Sequence, residues 1–590
     1  MKTAADPDTN PHQATAAMRR RADPRGQVAW AIAGLVGFVA AFCYPLFARL
    51  GNTGSVWDWP EFLIRYWAAF HELRNFHQLP LWNPYACGGM PLLAHPNSQV
   101  LSPLFALALI FGPFNGLDLQ VAADLAIAWS GGYVLARCLG MGTIGSLTCA
   151  SIFPASSWFY LHIGVGHLNF LPSAYIPWVA AAVVIGSRGR SLKPWMLGGL
   201  LLAIMFGEGG VYQPTQAMIL VTLLALWFAV ARRSLRPAAG VLLMALFALG
   251  LAAIKLLPSI ELMHLHPRPP QDLQSSTVGA LLTGLFARDQ FYDRPRIEAW
   301  GFWEVGAYLS PAAALLAVLG LSAAPRRAAP WAVAAALFFV LALGGARPWL
   351  PWALLHHLPV FSWERMPERF LIVFILAAGV IAGLGADVLS GLRKPFGAIL
   401  AAMLLLAALA DAWTVSQPNM HAPVAAQVAA LAPAGRFAQR YDDPWNQVTL
   451  ARSNLGALHC NEDLDFHEVS EKHTVLAANR AGYRGEYYLL GRGAIALHRW
   501  TPNALSYDVA TPGANVVVIN QNYDANWRLE RGGGKVISHN GLLAVRVAAG
   551  AHHLRLVYRS RRLRLGGAIS LLTWLLGAGL WIYERRRRGA

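Results

Sequence analysis

Two pieces of one stretch decide the reading of this chain: Ser55-Val-Trp-Asp-Trp-Pro-Glu61, and after it Leu79-Pro-Leu-Trp-Asn-Pro-Tyr-Ala-Cys-Gly-Gly-Met-Pro91. They follow the first long apolar run, Val28 to Leu50, and are too rich in Trp, Gly and Pro to be a plain connector. Gly and Pro fix turns. An Asp among aromatic residues, just beyond an apolar run, stands where a membrane–water boundary falls. The rest of the chain is read outward from this loop.

Of the 590 residues, 56% are hydrophobic and only 13% charged, and the mean hydropathy is +0.40. Such a composition lies outside that of ordinary globular domains and reads as a polytopic α-helical membrane protein. Its apolar runs are each about long enough to cross a ~30 Å hydrocarbon core as a helix. The net charge of +17 comes from short clusters beside those runs: Arg19-Arg20-Arg21, Arg188/Arg190/Lys193, Arg232-Arg233/Arg236, Arg326-Arg327, Arg393-Lys394 and Arg585 to Arg588. That is the positive-inside pattern, and it implies no nucleic-acid partner. Five cysteines are too few for a disulfide framework. Cys43, Cys138 and Cys149 fall in apolar spans; Cys87 and Cys460 alone could meet outside the bilayer, where a bridge between them is open but two unpaired cysteines are the expectation.

Residues 1–27 read as a cytoplasmic tail, and the run after them, which has no convincing small-residue cleavage site, as an uncleaved anchor. Placing every basic cluster inside gives about twelve spans, at 28–49, 117–137, 142–160, 171–187, 195–207, 213–231, 237–257, 305–323, 329–345, 369–389, 395–413 and 564–583, with both termini cytoplasmic. Val100 to Phe111 must then not cross; short and bracketed by Pro103 and Pro113, it reads as re-entrant or interfacial. The multi-span domain covers 28–413, with a first outer loop at 51–117. From 414 to 560, strand-like segments such as Val516 to Asn520, Trp527 to Glu530, Leu542 to Val547 and His553 to Tyr558 alternate with turn signals at Arg531 to Gly534, Asn540-Gly541 and Ala549-Gly550. They predict an extracytoplasmic β-rich domain, tied back by a final helix and basic tail at 561–590. Acidic, His and Trp-rich segments gather on the outer side, so the chemistry is expected there. No inverted repeat is evident, which weighs against a secondary transporter.

From Trp59 to Arg74 the apolar residues recur with helical period, predicting an amphipathic helix anchored at the membrane surface. Asp58 begins it. With Pro60 and Glu61 it resembles a capping box; its position at the outer interface equally suits a base or a ligand. Glu208, in Gly207-Glu-Gly-Gly-Val-Tyr-Gln213, is either a functional intramembrane acid or an ordinary loop residue. Arg365 and Arg369 flank Pro367 at the mouth of a span, and guanidinium groups match phosphate. Arg288, Arg294 and Arg296 are alternatives, and Lys255 can snorkel. Asn83-Pro84 and Gly88 to Pro91 read as framework turns. Trp82, Tyr85 and His95 can stack on a sugar or prenyl chain, or anchor the loop.

The segment from Leu81 to Gln99, ending in Ser102-Pro-Leu104, resembles the first-loop signature of the YfhO-type bacterial membrane proteins, of the GT-C class of glycosyltransferases. Further matches are Glu304-Val-Gly-Ala-Tyr308, Arg365-Met-Pro-Glu-Arg-Phe370, Asn522-Tyr-Asp-Ala-Asn-Trp527, Asn540-Gly-Leu542 and Val547-Ala-Ala-Gly550. The resemblance implies a GT-C-like fold and an inverting transferase. It implies a polyprenyl-phosphate sugar donor and an envelope glycan or lipid acceptor, meeting on the outer face of a bacterial cytoplasmic membrane. The expected catalytic acid maps onto Asp58, with Glu61 and Glu208 as further carboxylates. Arg365, Arg369 and Arg296 are then expected at the donor phosphate, and Trp57, Trp82, Asn83, Tyr85, His95 and Glu304 around the substrate. The chain departs from the paired-carboxylate pattern of better-known members by offering His162 and His167 in the second outer loop. A divalent ion held by these with Asp58 stays open, beside histidines that are merely solvated or hydrogen-bonded; no other cofactor is expected. The readings from other classes are a transporter or flippase of a lipid-linked saccharide, and a non-catalytic scaffold whose β-domain binds envelope polymer.

Overall fold

The computed structural model describes residues 24–52, 57–267, 273–292, 301–393, 395–421, 435–442, 446–459, 464 and 475–589. Seven helices among them are long and apolar enough to cross a membrane: Pro113–Cys138, Leu168–Arg188, Gln213–Arg232, Arg236–Leu265, Pro367–Gly391, Phe396–His421 and Arg561–Arg587. Shorter apolar helices at Gly26–Phe42, Lys193–Gly207 and Pro311–Ala323 join them. The two other expected spans fall on Pro325–Ala342 and on the pair Thr143–Ala155 and Ser157–Val165. That pair is broken for a local reason: Pro154 removes a helix donor, and Ser156 turns to ψ 141°.

Helices approach one another where glycine leaves room, as membrane helices do in the absence of a hydrophobic drive between them. A Cβ on Gly385 would lie 1.9 Å from the Leu316 carbonyl oxygen, and one on Gly320 2.1 Å from that of Ile381. The last helix docks similarly on Arg236–Leu265: Ser570 Oγ donates to the Leu251 carbonyl at 2.8 Å, and Gly566 faces Ala253.

Charge separates the two ends of the bundle. At one end Arg327 donates to the Leu139 carbonyl and lies 3.6 Å from Asp387, and Arg188 donates to the Cys138 carbonyl. At the other end sit Asp58, His167, Glu208, Glu304 and Arg369, each at a helix terminus or in the turn beside one.

The run from Val100 to Phe111 does not cross the bundle. It forms a turn, Pro103–Phe105, and a six-residue helix, Ala106–Phe111, which is about 9 Å long. Gly112 (φ 86°) then reverses the chain, and Gly116 admits the Ala108 backbone, which a Cβ would meet at 2.4 Å.

Trp59–His71 departs from the expected surface anchor. Trp59, Phe62, Leu63, Ile64, Tyr66 and Trp67 are buried, and so is Arg65, which bonds Glu61 at 2.6 Å. Tyr66 donates to Gln120 of the first long helix at 3.1 Å. The helical period therefore reports two protein environments rather than lipid and water.

The C-terminal region is a sandwich of two four-stranded sheets. Its strands are β1 (Tyr487–Leu489), β2 (Ala494–Thr501), β3 (Ala504–Thr511), β4 (Asn515–Asn522), β5 (Trp527–Arg531), β6 (Lys535–His539), β7 (Leu542–Val547) and β8 (Gly550–Tyr558). The sheet orders are β6-β7-β4-β1 and β2-β3-β8-β5, antiparallel throughout. Asn540 and Gly541, both at positive φ, close the β6–β7 hairpin. The preceding helix runs on to His421, past the boundary expected at 413.

The loop quoted at the outset is stitched to this sandwich. Trp82 N–H donates to Asn503 Oδ1 at 3.0 Å and its indole N–H to Gln521 Oε1 at 3.2 Å. Asn522 Nδ2 donates to the carbonyls of Cys87 and Gly89 at 2.8 and 2.9 Å. Contrary to expectation, Cys87 is disulfide-bonded, while Cys43, Cys138 and Cys149 are free. Cys460 lies outside the described residues.

Candidate active site

A cavity of about 280 Å3 opens at the acidic and aromatic end of the bundle, and most of the predicted site residues line it: Trp57, Asp58, Glu61, His95, His167, Glu304, Arg365 and Arg369. The chain is bent to bring them there. Trp57 takes a left-handed conformation (φ 53°), and Asp58 N–H donates to the Val165 carbonyl at 2.9 Å. Gly166 makes that approach feasible, since a Cβ on it would lie 2.4 Å from Trp59 N.

Asp58 does not cap its helix. Its backbone is already helical (φ −85°, ψ −3°) rather than extended, and no side-chain cap bond forms. The carboxylate instead meets His167 Nε2 at 3.0 Å, and His167 Nδ1 lies 3.1 Å from His162 Nδ1. Glu61, the other half of the supposed capping box, is taken by Arg65. Burial works to raise the Asp58 carboxyl, but the hydrogen bond and charge of His167, with Arg65 and Arg369 beyond it, outweigh this and hold it below its ordinary value. Asp58 is therefore a carboxylate at neutral pH.

The same geometry corrects the metal reading. His167 bridges Asp58 and His162, with Nε2 turned to the carboxylate and Nδ1 to the His162 ring, so both of its ring nitrogens are engaged by protein rather than offered to an ion. Among the described residues no three His, Cys, Asp or Glu side chains form a ligand group.

Opposite stands a buried ion pair. Arg369 bonds Glu304 in bidentate fashion, at 2.7 and 2.6 Å. Its guanidinium lies 4.5 Å from the Phe170 ring centroid and 4.8 Å from that of Tyr212. Met366, just before Pro367, adopts a left-handed conformation (φ 54°) at the turn between Arg365 and Arg369, both of which line the cavity. Glu364 just before them is buried; it accepts from Thr215 Oγ1 at 2.6 Å, and burial pushes its carboxyl up to about 8.

Several expectations fall elsewhere. Glu208 is fully buried outside the cavity and accepts from Ser102 Oγ at 2.7 Å and Tyr175 OH at 3.3 Å. The adjacent Gly209, at φ 83°, lets Asn97 of the first loop pack on the helix end, so Glu208 fastens that loop rather than facing substrate. Trp82, Asn83 and Tyr85 are buried at the sandwich junction, where Trp82 packs on Trp527 and Tyr558, and Asn83 Oδ1 accepts from Tyr85 N–H. Lys255 does not snorkel; it is buried and donates to the Ser98 carbonyl. Arg288 pairs with Asp411 at 2.9 Å. Arg294 and Arg296 lie outside the described residues.

Sequence reasoning did not single out Phe170, Tyr212, Asn97 or Trp303, all of which line the cavity. The signal for Tyr212 was its place two residues after the Gly209-Gly210 break that Glu208 drew attention to.

No family model matches the chain, and no curated protein matches it. Among solved structures it is similar to the mycobacterial arabinofuranosyltransferase AftD, at 15% identity and TM-score 0.41 over 74% of this chain and 33% of that one. It is also similar to the Archaeoglobus fulgidus oligosaccharyltransferase complexed with zinc and sulfate, at 11% identity and TM-score 0.42, covering 73% of this chain and 62% of that one. A structure of AglB from the same organism, with an inhibitory peptide and a dolichol phosphate, matches at 11% identity and TM-score 0.42, over 73% and 64%. The chain thus spans less than two thirds of the length of each, and no residue role is carried over from them.

Proposed function

We propose that this chain is a GT-C-type glycosyltransferase. In this reading it moves a sugar from a polyprenyl-phosphate donor to an envelope glycan or lipid acceptor, on the outer face of a bacterial cytoplasmic membrane. The observation that carries the proposal is the facing of an ionised Asp58, oriented by His167, against the Arg365 and Arg369 guanidinium groups across one cavity at a helix-bundle end. The loop-to-tail resemblance to YfhO-type proteins supports the class. The gathering of basic residues at the opposite end supports the sidedness.

The residues suit a single displacement with inversion. An acceptor hydroxyl attacks the anomeric carbon as the bond to the lipid phosphate oxygen breaks, and the hydroxyl proton passes to Asp58. A carboxylate held below its ordinary range is a weak base. It suffices here, because the attacking oxygen becomes strongly acidic as it bonds to an oxocarbenium-like carbon. His167 keeps the carboxylate aimed. The departing phosphate needs no proton, only cationic surroundings, and the guanidinium groups supply them. Glu304 and the two flanking rings fix Arg369 in place beforehand, so little reorganisation is needed during the reaction.

The test is release of polyprenyl phosphate from a labelled polyprenyl-phosphate sugar by purified Asp58→Asn protein. A loss of about 100-fold or more, within the range of general base catalysis, is expected with donor binding and thermal midpoint retained. Turnover at the wild-type rate would overturn the assignment of the base.

A further inference from the structure

The sandwich contains a second cavity, of about 560 Å3, where edge strands β1 and β2 of the two sheets part. Facing sheets ordinarily fill the space between them with interdigitating side chains and leave few voids larger than a water molecule. This opening instead carries flat apolar faces. Phe437 stacks on Trp500 (centroids 5.0 Å apart, 22° between planes), and Tyr487 leans on Tyr507 (5.2 Å, 53°). Planar hydrogen-bonding groups lie beside them. The Glu486 carboxylate is held by Tyr483 OH at 2.7 Å and the Gln439 N–H at 2.8 Å. Gln521 is buried; its Oε1 accepts from the Trp82 indole, and its Nε2 has no hydrogen-bond partner among the described residues.

Different ligands fare differently against this lining. A prenyl tail would bury Glu486 and Gln521 against hydrocarbon, an uncompensated polar burial. An anion would meet the cation Arg436, but would also lie against the Glu486 carboxyl, which burial raises to about 7 and which is therefore about half ionised at neutral pH. A peptide added as a strand would pair with only three residues along β1, or with the eight-residue β2, and its backbone pairing would make no use of the ring faces and side-chain amide that line the cleft. A neutral sugar ring, with one C–H face and a rim of hydroxyls, offers an apolar face to the aromatic rings and donors and acceptors to the amide and carboxylate groups.

We propose that the cleft between β1 and β2 binds a neutral oligosaccharide. Glu486 is the one carboxyl among its described lining residues, so the acid pair that hydrolyses a glycosidic bond is not assembled there. The cleft holds rather than cuts. Binding stands independently of what the membrane cavity does. The consequence that a glycan held here is kept concentrated near an acceptor site, through the Trp82–Gln521 link to the first loop, rests on the proposed transferase reading.

The test is saturation-transfer NMR and calorimetry on the full-length protein in detergent, with maltohexaose, xylohexaose and arabinohexaose as probes. At least one is expected to bind with a Kd of about 1 mM or tighter, and Tyr487→Ala and Glu486→Gln are each expected to weaken it about tenfold. Asp58→Asn is expected to leave binding unchanged, which separates a failure here from a failure of the transferase reading. The near-isosteric Glu486→Gln variant guards against loss of fold in Tyr487→Ala, with thermal midpoints checked for both. The proposal is overturned if wild type binds none of the three at about 10 mM, or if binding survives unweakened in a folded variant.

Discussion

Asp58 could have served its helix and instead serves His167, because its backbone was committed to the helix one residue early. Its neighbours across the cavity carry the sharper predictions. Glu364 has its carboxyl raised to about 8 from 4.5 by burial, so the neutral form is the one the fold prefers. Stability from this group is full below about 4.5 and is lost as the pH rises through about 8, because the folded state then binds a proton that the unfolded state has given up. Ionisation also places a negative charge beside Arg365 and Arg369. In the proposed transferase the donor KM is therefore expected to rise as the pH passes about 8, and the thermal midpoint to fall between about pH 4.5 and 8 and level off above, with both trends flattened in Glu364→Gln; identical pH profiles for the two proteins would contradict this. Arg369→Lys keeps the charge but loses the bidentate fork and the planar stack on Phe170 and Tyr212. Removing one partner of such a buried pair, as in Glu304→Gln, is expected to cost about 3–5 kcal/mol, measured as a drop in denaturation midpoint in detergent.

Among elements, the seam between Pro311–Ala323 and Pro367–Gly391 bears most directly on the site, because the second helix begins at Arg369's turn. Gly385 and Gly320 set the spacing there from within the bundle, remote from the cavity. Gly385→Leu has no space at the Leu316 carbonyl and is expected to push the helices apart. The readout is loss of the folded, monodisperse protein on size exclusion, at a position that touches no substrate. Gly385→Ala is expected to show a milder form of the same defect.

For the whole molecule, much was legible in the sequence where one physical signal dominated. Apolar length located the helices, and Val100 to Phe111, bracketed by Pro103 and Pro113, holds only a six-residue helix, too short to cross. The strand run Leu542 to Val547 and its Asn540-Gly541 turn were equally plain. What could not be read was partnership between distant segments. An amphipathic period at Trp59–His71 does not say whether lipid or protein covers the apolar face. A carboxylate in a glycine break does not say whether Glu208 faces a substrate or Ser102. The separate motifs of the resemblance also gain sense only in three dimensions, for they meet in pairs: Glu304 with Arg369, and Asn522 with the Cys87-Gly88-Gly89 turn. Asn522→Leu strips both of those carbonyls of their amide donor, a loss of about 1–3 kcal/mol per buried group. Faster hydrogen exchange across residues 82–91 is expected, with the transmembrane helices unaffected; unchanged exchange in that loop would count against the coupling.

That stitching also bears on how the protein is made. Trp82 waits for Asn503, 421 residues later, and for Gln521, 439 residues later. During synthesis at ~5–20 residues per second, the first loop stands finished but unpartnered for roughly 20–90 seconds, with Trp82 and Tyr85 uncovered. Its closure is a late event of biogenesis rather than the first. A ribosome that stalls after His421 but before the sandwich emerges therefore leaves a helical bundle that lacks its last helix, Arg561–Arg587, and whose first loop has never been covered.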